Sequence, residues 1–220
     1  MNIEKKQIAY NRVTRNSAIC YIVIHDTGNK SKGADADSHF RYFNGGNRNS
    51  SADFFVDDKT VLQVNDYTKY YTWHVGDGKG KYGITNQNSV GIEICVNADG
   101  DYNAAYLKAV ELTKYLMKQL GIDASHVARH YDASRKNCPA SMSANNWALW
   151  EKFKQLIKEE IKMAECKFTD ISGHYGEKQI REVFEMGIMN GVDETHFNPN
   201  EPVTRAQAAI IARNVVRYIT

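Results

Sequence analysis

Three side chains in this 220-residue chain have the chemistry to hold a metal ion together: His25, His130 and Cys138. His25 closes the apolar run Ala18-Ile19-Cys20-Tyr21-Ile22-Val23-Ile24, where the end of a buried strand can hold a side chain rigidly. His130 closes the shorter extended stretch Val127-Ala128-Arg129. Cys138 stands in the polar loop Arg135-Lys136-Asn137-Cys138-Pro139, where core packing does not account for a thiol. Two imidazoles and a thiolate would give zinc three ligands and leave a fourth position for water, as in catalytic rather than structural sites. Water held there has its pKa lowered to about 7, so a hydroxide nucleophile exists at neutral pH. The mixed nitrogen and sulfur set favours zinc over magnesium or calcium. Spacing alone leaves the set open, because the chain has seven histidines and no tight His-Glu-x-x-His pair. Glu93 lies in the middle of a second apolar run, Val90-Gly91-Ile92-Glu93-Ile94-Cys95-Val96. A carboxylate on a buried strand is costly without a partner or a task. Near a metal it would act as general base toward a bound water; the alternative is an ion pair with a lysine. Asp132, two residues after His130, is a candidate to orient a ligand imidazole from behind.

Positioning these residues takes a layered α/β domain. The runs that carry His25 and Glu93 are apolar on both faces, the pattern of strands buried between helices. Residues 52–56 and 60–64 flank Asp57-Asp58-Lys59 and predict a hairpin. Ala36–Asn44 predicts a short helix closed by Gly45-Gly46. A long helix starts after the cap Asp101 and stops at Gly121, with Ala109, Leu112, Leu116 and Leu120 on the face toward the sheet. A last helix over 143–163 carries Trp147, Trp150, Phe153, Ile157 and Ile161 on one face. Strands alternating with helices predict an α/β domain over residues 1–160. The apolar pattern then lapses, which sets a linker at 161–167 and leaves 168–220 as a small helical unit. Its first helical segment, 178–186, is apolar at Ile180, Val183 and Phe184. Its second opens on Thr204-Arg205-Ala206-Gln207, which has the form of a capping box. So short a unit cannot hold a large core alone.

Composition excludes other classes. Apolar residues at 42% and charged residues at 25% are ordinary for a soluble protein. A net charge of +2 is too small for a nucleic-acid binder, which carries a concentrated basic stripe. No apolar run is long enough to span a membrane. Met1-Asn2-Ile3-Glu4-Lys5-Lys6-Gln7 has no apolar segment after it, so no secretory signal is read and synthesis in a reducing cytoplasm is expected. In a reducing compartment the four cysteines are not a disulfide framework, and Cys20 and Cys95 read as buried small hydrophobes.

Four separated motifs then carry a family resemblance. In order they are Ile22-Val23-Ile24-His25-Asp26-Thr27, Thr72-Trp73-His74-Val75-Gly76, Gly91-Ile92-Glu93-Ile94, and Arg129-His130-Tyr131-Asp132 with Lys136-Asn137-Cys138-Pro139. They resemble the type-2 N-acetylmuramoyl-L-alanine amidases, which share a fold with peptidoglycan-recognition proteins and many phage endolysins. The resemblance covers residues 15–160. It implies a mixed central sheet flanked by helices, with His25, His130 and Cys138 as zinc ligands. Members that only bind peptidoglycan typically lack a ligand at the position of Cys138. The resemblance also gives Glu93 the general base and Lys136 the stabilisation of an oxyanion together with the metal. It places His74 at the groove wall against the muramyl group or stem peptide, with Trp73 and His39 as weaker contacts that also serve as packing. One departure is Ser51-Ala52-Asp53, where many relatives carry an aromatic residue or histidine in place of Asp53.

Phe168-Thr169-Asp170-Ile171, Gly187-Ile188-Met189-Asn190-Gly191, Phe197-Asn198-Pro199 and Thr204-Arg205-Ala206-Gln207 resemble one S-layer homology repeat. That resemblance implies that Arg205 binds anionic secondary cell-wall polysaccharide, with Gln207 in place of the commoner glutamate. A single repeat cannot easily bury its apolar face, so association between chains, as a trimer, is expected. Together the two resemblances imply a zinc-dependent amidase acting on peptidoglycan, as a phage or prophage endolysin that reaches the wall after release. The alternatives are a peptidoglycan-binding protein without activity and a cytosolic amidase of soluble wall fragments. Neither nucleic acid nor membrane is expected as a partner.

Overall fold

Short apolar runs bounded by polar turns become the strands, and the longer 3.6-period segments become the helices. The computed structural model describes residues 1–158 and 166–219. The chain divides into two units, Met1–Lys158 and Glu159–Thr220. The strands of the first are β1 (Glu4–Lys5), β2 (Arg12–Thr14), β3 (Tyr21–Asp26), β4 (Phe54–Val56), β5 (Val61–Gln63), β6 (Tyr70–Thr72), β7 (Ser89–Ile94) and β8 (Val127–Arg129). Its helices are α1 (Ala36–Asn44), α2 (Tyr102–Leu120), α3 (His130–Ser134) and α4 (Ala144–Lys158). The six-stranded sheet runs β1-β5-β4-β7-β3-β8, and β2 pairs with β6 apart from it. The sheet is mixed: β3 lies parallel to both β7 and β8, while β4 and β5 form the antiparallel hairpin expected from Asp57-Asp58-Lys59.

Alternation along the central strands decides which side chains reach the core and which reach the site. Ile22, Ile24, Phe54, Val56, Ile92 and Ile94 pack on one face against Ala109, Leu112 and Leu116 of α2 and Trp150, Phe153 and Ile157 of α4. Each such large side chain, fully buried, contributes roughly 1.5–3 kcal/mol. Val23, His25, Gly91, Glu93 and Phe55 alternate onto the opposite face. There α1 covers Phe55 and Leu62, while Val75, Ile84, Ala128 and Ala133 cover Val23. β3 begins only at Tyr21, so Cys20 precedes it and is exposed rather than buried; Cys95 is buried as expected. The strand runs on through His25 to Asp26, so His25 is held in the sheet.

The helix ends follow their caps. Asp101 accepts from the amides of Asn103 and Ala104, and Gly121 closes α2 at φ 64°. Asp35 caps α1 through the Ser38 amide. The helix expected over 143–163 is described as far as Lys158, after a left-handed stretch at Asn145, Asn146 and Trp147. Residues 159–163 of that helix and 161–165 of the expected linker lie outside the described residues. In the second unit, α5 (Glu177–Glu185) and α6 (Arg205–Ile219) accompany a small core of Phe168, Ile171 and Ile180. The capping box is reciprocal: Thr204 N donates to Gln207 Oε1 at 2.8 Å, and Gln207 N donates to Thr204 Oγ1 at 3.2 Å.

Asp53, the departure noted in the sequence, is fully buried just before β4. Its carboxylate accepts from Asn65 Nδ2 at 2.7 Å, Gly91 N at 2.8 Å and Thr72 Oγ1 at 3.0 Å, tying β4, β6 and β7 together. Its task is structural, on the segment that carries Gly91 toward Glu93. Asp53→Ala would strand three buried donors at about 1–3 kcal/mol each. The substitution is therefore expected to lower the unfolding free energy by roughly 3 kcal/mol or more in a urea titration. A loss below about 1 kcal/mol would contradict this reading.

Candidate metal centre

Parallel pairing of β3 with β7 puts His25 directly beside Glu93, and β8 delivers Arg129 opposite Ile24, one residue short of His130. The site thus forms at the carboxyl ends of parallel strands, where α/β sheets commonly place ligands. His25 Nδ1 and His130 Nδ1 face each other at 3.0 Å, and Cys138 Sγ lies 3.8 Å from His25 Nδ1. All three side chains are buried, and their donor atoms fall within 4.8 Å of one another. A tetrahedral ion with zinc-like bond lengths would set two nitrogens roughly 3.3 Å apart and nitrogen and sulfur roughly 3.6 Å apart. Cys138 and Pro139 are joined by a cis peptide bond, and the Tyr131 amide donates to the Cys138 carbonyl at 3.0 Å, tying the loop to α3.

The proton on His130 is assigned by its outer partner. Asp77 Oδ1 stands 2.8 Å from His130 Nε2, and Asp77 Oδ2 accepts from Ser134 Oγ at 3.0 Å. Burial works against ionisation of Asp77, but the His130 and Ser134 bonds and the Lys136 charge prevail and hold its carboxyl below the ordinary value. A carboxylate only accepts, so Nε2 carries the hydrogen and Nδ1 presents a lone pair to the cluster. Gly78 permits this approach: a Cβ there would stand 2.2 Å from the Ala133 carbonyl oxygen. Asp132, expected to orient the imidazole, does something else. It accepts from Arg129 N, Nε and Nη2, and so closes the first turn of α3. As the third residue of that helix, Asp132 is placed to turn back onto Arg129, which leaves Asp77 on the facing loop to reach the outer side of His130. Sequence reasoning passed over Asp77, whose signal is a lone carboxylate between two glycines just after the His74 motif.

Burial sets the charge states. It drives His25 well below the ordinary histidine value, with His74, His130 and Lys136 adding to the effect. It also lowers His130, against the pull of Asp77, and pushes the Cys138 thiol up to about 12. Glu93 rises to about 8 through burial and the nearby Asp26 carboxylate, with Lys136 pulling the other way. Glu93 Oε1 lies 3.9 Å from His25 Nδ1, and Oε2 is buried without a hydrogen-bond partner among the described residues. Lys136 is exposed, two residues before Cys138, and its charge is felt at His25, His130, Glu93 and Cys138.

His74 is not at a groove wall. It is 8% exposed and sits behind His25, with His25 Nε2 3.0 Å from its Nδ1 and Ser89 Oγ 3.1 Å from its Nε2. Trp73 is half-buried, and its backbone exchanges bonds with Ser51. The open groove beside the centre, about 440 Å³, is lined by Thr27, Ser38, His39, Tyr42, Phe43 and Phe55 and reaches Glu93. His39 stacks on Phe55 at 5.2 Å, and its Nε2, like Thr27 Oγ1, is buried without a partner among the described residues. Arg205 is exposed at the start of α6 in the second unit.

Residues 15–141, which hold every element of this centre, match the family model described as N-acetylmuramoyl-L-alanine amidase. The chain belongs to that family. Residues 167–209 match the S-layer homology domain, so the amidase region is followed by one such repeat. The amidase CwlH of Bacillus subtilis is 39% identical over 132 residues, which are 60% of this chain and 52% of CwlH. The chain spans about half the length of the curated relatives it matches. Among solved structures, the catalytic domain of XlyA, an amidase of Bacillus subtilis, is similar at a TM-score of 0.62 and 36% identity, over 71% of this chain and 99% of that domain. The PlyG catalytic domain is similar at a TM-score of 0.62 and 31% identity, over 72% of this chain and 94% of that one. The fold expected from the sequence, a mixed sheet flanked by helices with a helical C-terminal unit, is the fold observed.

A thiol held as high as about 12 must lose its proton when it ligates a metal. Metal uptake by the amidase centre is therefore expected to release protons and to tighten as pH rises from 6 to 8. Calorimetric titration in buffers of different ionisation enthalpy measures both. Affinity independent of pH would remove Cys138 from the ligand set.

Proposed function

We propose that this chain hydrolyses the amide bond between N-acetylmuramic acid and L-alanine in bacterial peptidoglycan, with zinc held by His25, His130 and Cys138. The observation that carries the reading is the convergence of two buried imidazole nitrogens and a thiol beside a buried carboxyl oxygen that has no partner among the described residues. Zinc in that set would supply Lewis acidity and lower the pKa of water to about 7. Burial pushes the Glu93 carboxyl up to about 8, and the charge of a zinc ion in that set would favour its ionised form. As a carboxylate, Glu93 takes the proton from the attacking water and delivers it to the departing L-alanine nitrogen. Lys136, exposed at the rim, offers its ammonium to the oxyanion of the tetrahedral intermediate. The groove along His39, Phe43 and Phe55 seats the stem peptide, with apolar walls for side chains and unpartnered polar atoms for backbone amides. A protein that only bound peptidoglycan would need no thiol, carboxylate and lysine gathered around one point.

Residues 1–160 form the catalytic domain in this reading, and 168–220 the wall-binding module. The likeness to an endolysin from Bacillus subtilis, 39% identical, favours a phage or prophage lysin that acts on the wall after release. Arg205 binds secondary cell-wall polysaccharide, and holding the catalytic domain at an insoluble polymer raises its effective concentration there. The exposed apolar residues Ile210 and Val215 of α6 favour association of the modules as a trimer.

Digestion of purified peptidoglycan is expected to free N-terminal alanine without new reducing ends. Glu93→Gln should cut that rate about 10²–10⁴-fold with metal content retained, whereas Cys138→Ala should lose metal and activity together. New reducing ends would assign the wrong bond. Arg205→Ala is expected to lower retention on isolated walls severalfold without changing the amidase rate on soluble muropeptides. Light scattering should give the mass of three chains; a monomer at micromolar concentration would end the trimer reading.

A further inference from the structure

Resting on the metal site proposed above, the geometry points to His74, backed by Ser89, as the positioning residue that fixes the proton of His25 on Nε2 and turns its Nδ1 lone pair toward the metal. The assignment follows from donors and acceptors along one buried row. Ser89 has a single hydroxyl hydrogen, and it is directed to the Thr85 carbonyl, which can only accept. Ser89 Oγ therefore has lone pairs alone to offer His74 Nε2 at 3.1 Å, so the hydrogen of that pair belongs to His74. A neutral imidazole with its hydrogen on Nε2 presents an acceptor at Nδ1. That acceptor lies 3.0 Å from His25 Nε2, so His25 donates from Nε2 and keeps Nδ1 bare. Asp77 imposes the same tautomer on His130 from the other side. The two outer partners thus direct both lone pairs inward, one through a carboxylate and the other through a neutral relay that ends on a backbone carbonyl.

The relay depends on space as well as on polarity. Ser89 is fully buried and His74 nearly so. The two rings cross edge-on, with centroids 5.2 Å apart and planes at 81°. A Cβ at Gly91 would stand 2.8 Å from His74 Cγ and Nδ1, so a strand residue without a side chain is what lets the ring lie against β7. Asn86 Oδ1 accepts from the amides of His74 and Val75 at 3.0 and 2.8 Å and holds the backbone of the ring in place. A neutral relay has a consequence that a carboxylate lacks: its direction can be reversed. If Ser89 no longer accepts, His74 can carry its hydrogen on Nδ1 and donate to His25 Nε2. His25 then carries its own hydrogen on Nδ1, where the metal must bind.

Long-range proton–nitrogen spectra of the metal-free full chain, labelled on histidine nitrogen, should show His25 in the Nε2–H form. Ser89→Ala touches neither ligand nor metal, yet it is expected to move His25 toward Nδ1–H. It should also lower zinc affinity about 10–100-fold, as loss of an outer partner typically does, measured by competition with a chromogenic chelator. His74→Gln, whose amide oxygen can accept from His25, should stay within a few fold of wild type, and His74→Leu should not. An Nδ1–H His25 in the wild type overturns the inference. So does a folded Ser89→Ala protein that binds zinc within twofold of wild type. A wild type with Nε2–H on His25 and no zinc binding would support the relay and overturn the metal reading instead.

Discussion

Two bare imidazole nitrogens face each other across 3.0 Å at the heart of this protein. Each presents a lone pair, its hydrogen held on the outer nitrogen by Asp77 or by the His74–Ser89 row. Much of the surrounding architecture holds this arrangement in place. The parallel pairing of β3 with β7 and β8 brings the rings to one end of the sheet, and the Gly76-Asp77-Gly78 loop closes over one of them. The Ser89–His74 row stands behind the other. Burial keeps both rings neutral and the thiol protonated until something displaces its hydrogen. The cluster is thus a set of ligand atoms turned to one point, next to the Glu93 carboxyl, whose Oε2 has no partner among the described residues.

Much of the fold was readable from local pattern. Asp101 and Gly121 bound α2 because capping and a left-handed stop are local events, written within one turn of sequence. The Asp57-Asp58-Lys59 hairpin and the Thr204–Gln207 box are local in the same way. The donor set stood out because His25 and His130 close extended runs and Cys138 sits where no core explains it. The outer partners were not readable. Asp77 is 53 residues from His130, and nothing in a glycine-flanked aspartate says which imidazole it will meet. Ser89 drew no reading of its own, and Asp53 stood out only as a departure from the family pattern. Asp132 looked well placed by proximity in sequence, but as the third residue of α3 it answers first to Arg129, the N-cap of its own helix. Contacts that depend on how distant segments pack leave little trace in one chain.

The two units divide the labour unequally in physical terms. The first has a sheet covered on both faces and a long core, which is what a site held to fractions of an ångström requires. Among the described residues, the second buries Phe168, Ile171 and Ile180 and leaves large apolar side chains on α6 in the open. Such a module tolerates loose tertiary order if its work is to adhere to a polymer at many weak points. Precision is concentrated around the His25–His130–Cys138 cluster.

The alternation of β3 and β7 has a consequence for how this domain can vary. Side chains at 22, 24, 92 and 94 face the core, and those at 23, 25, 91 and 93 face the site, with a period of two. Replacing Ile92 with valine alters packing by one methylene. Deleting Ser89 or Val90 would send Glu93 into the core and Ile92 toward the His25–His130–Cys138 cluster, and would carry Gly91 out from under His74. The ends of these strands can drift in composition, but their parity is frozen. Insertions and deletions in this lineage should accumulate in the connecting loops, while the strands keep an unbroken count.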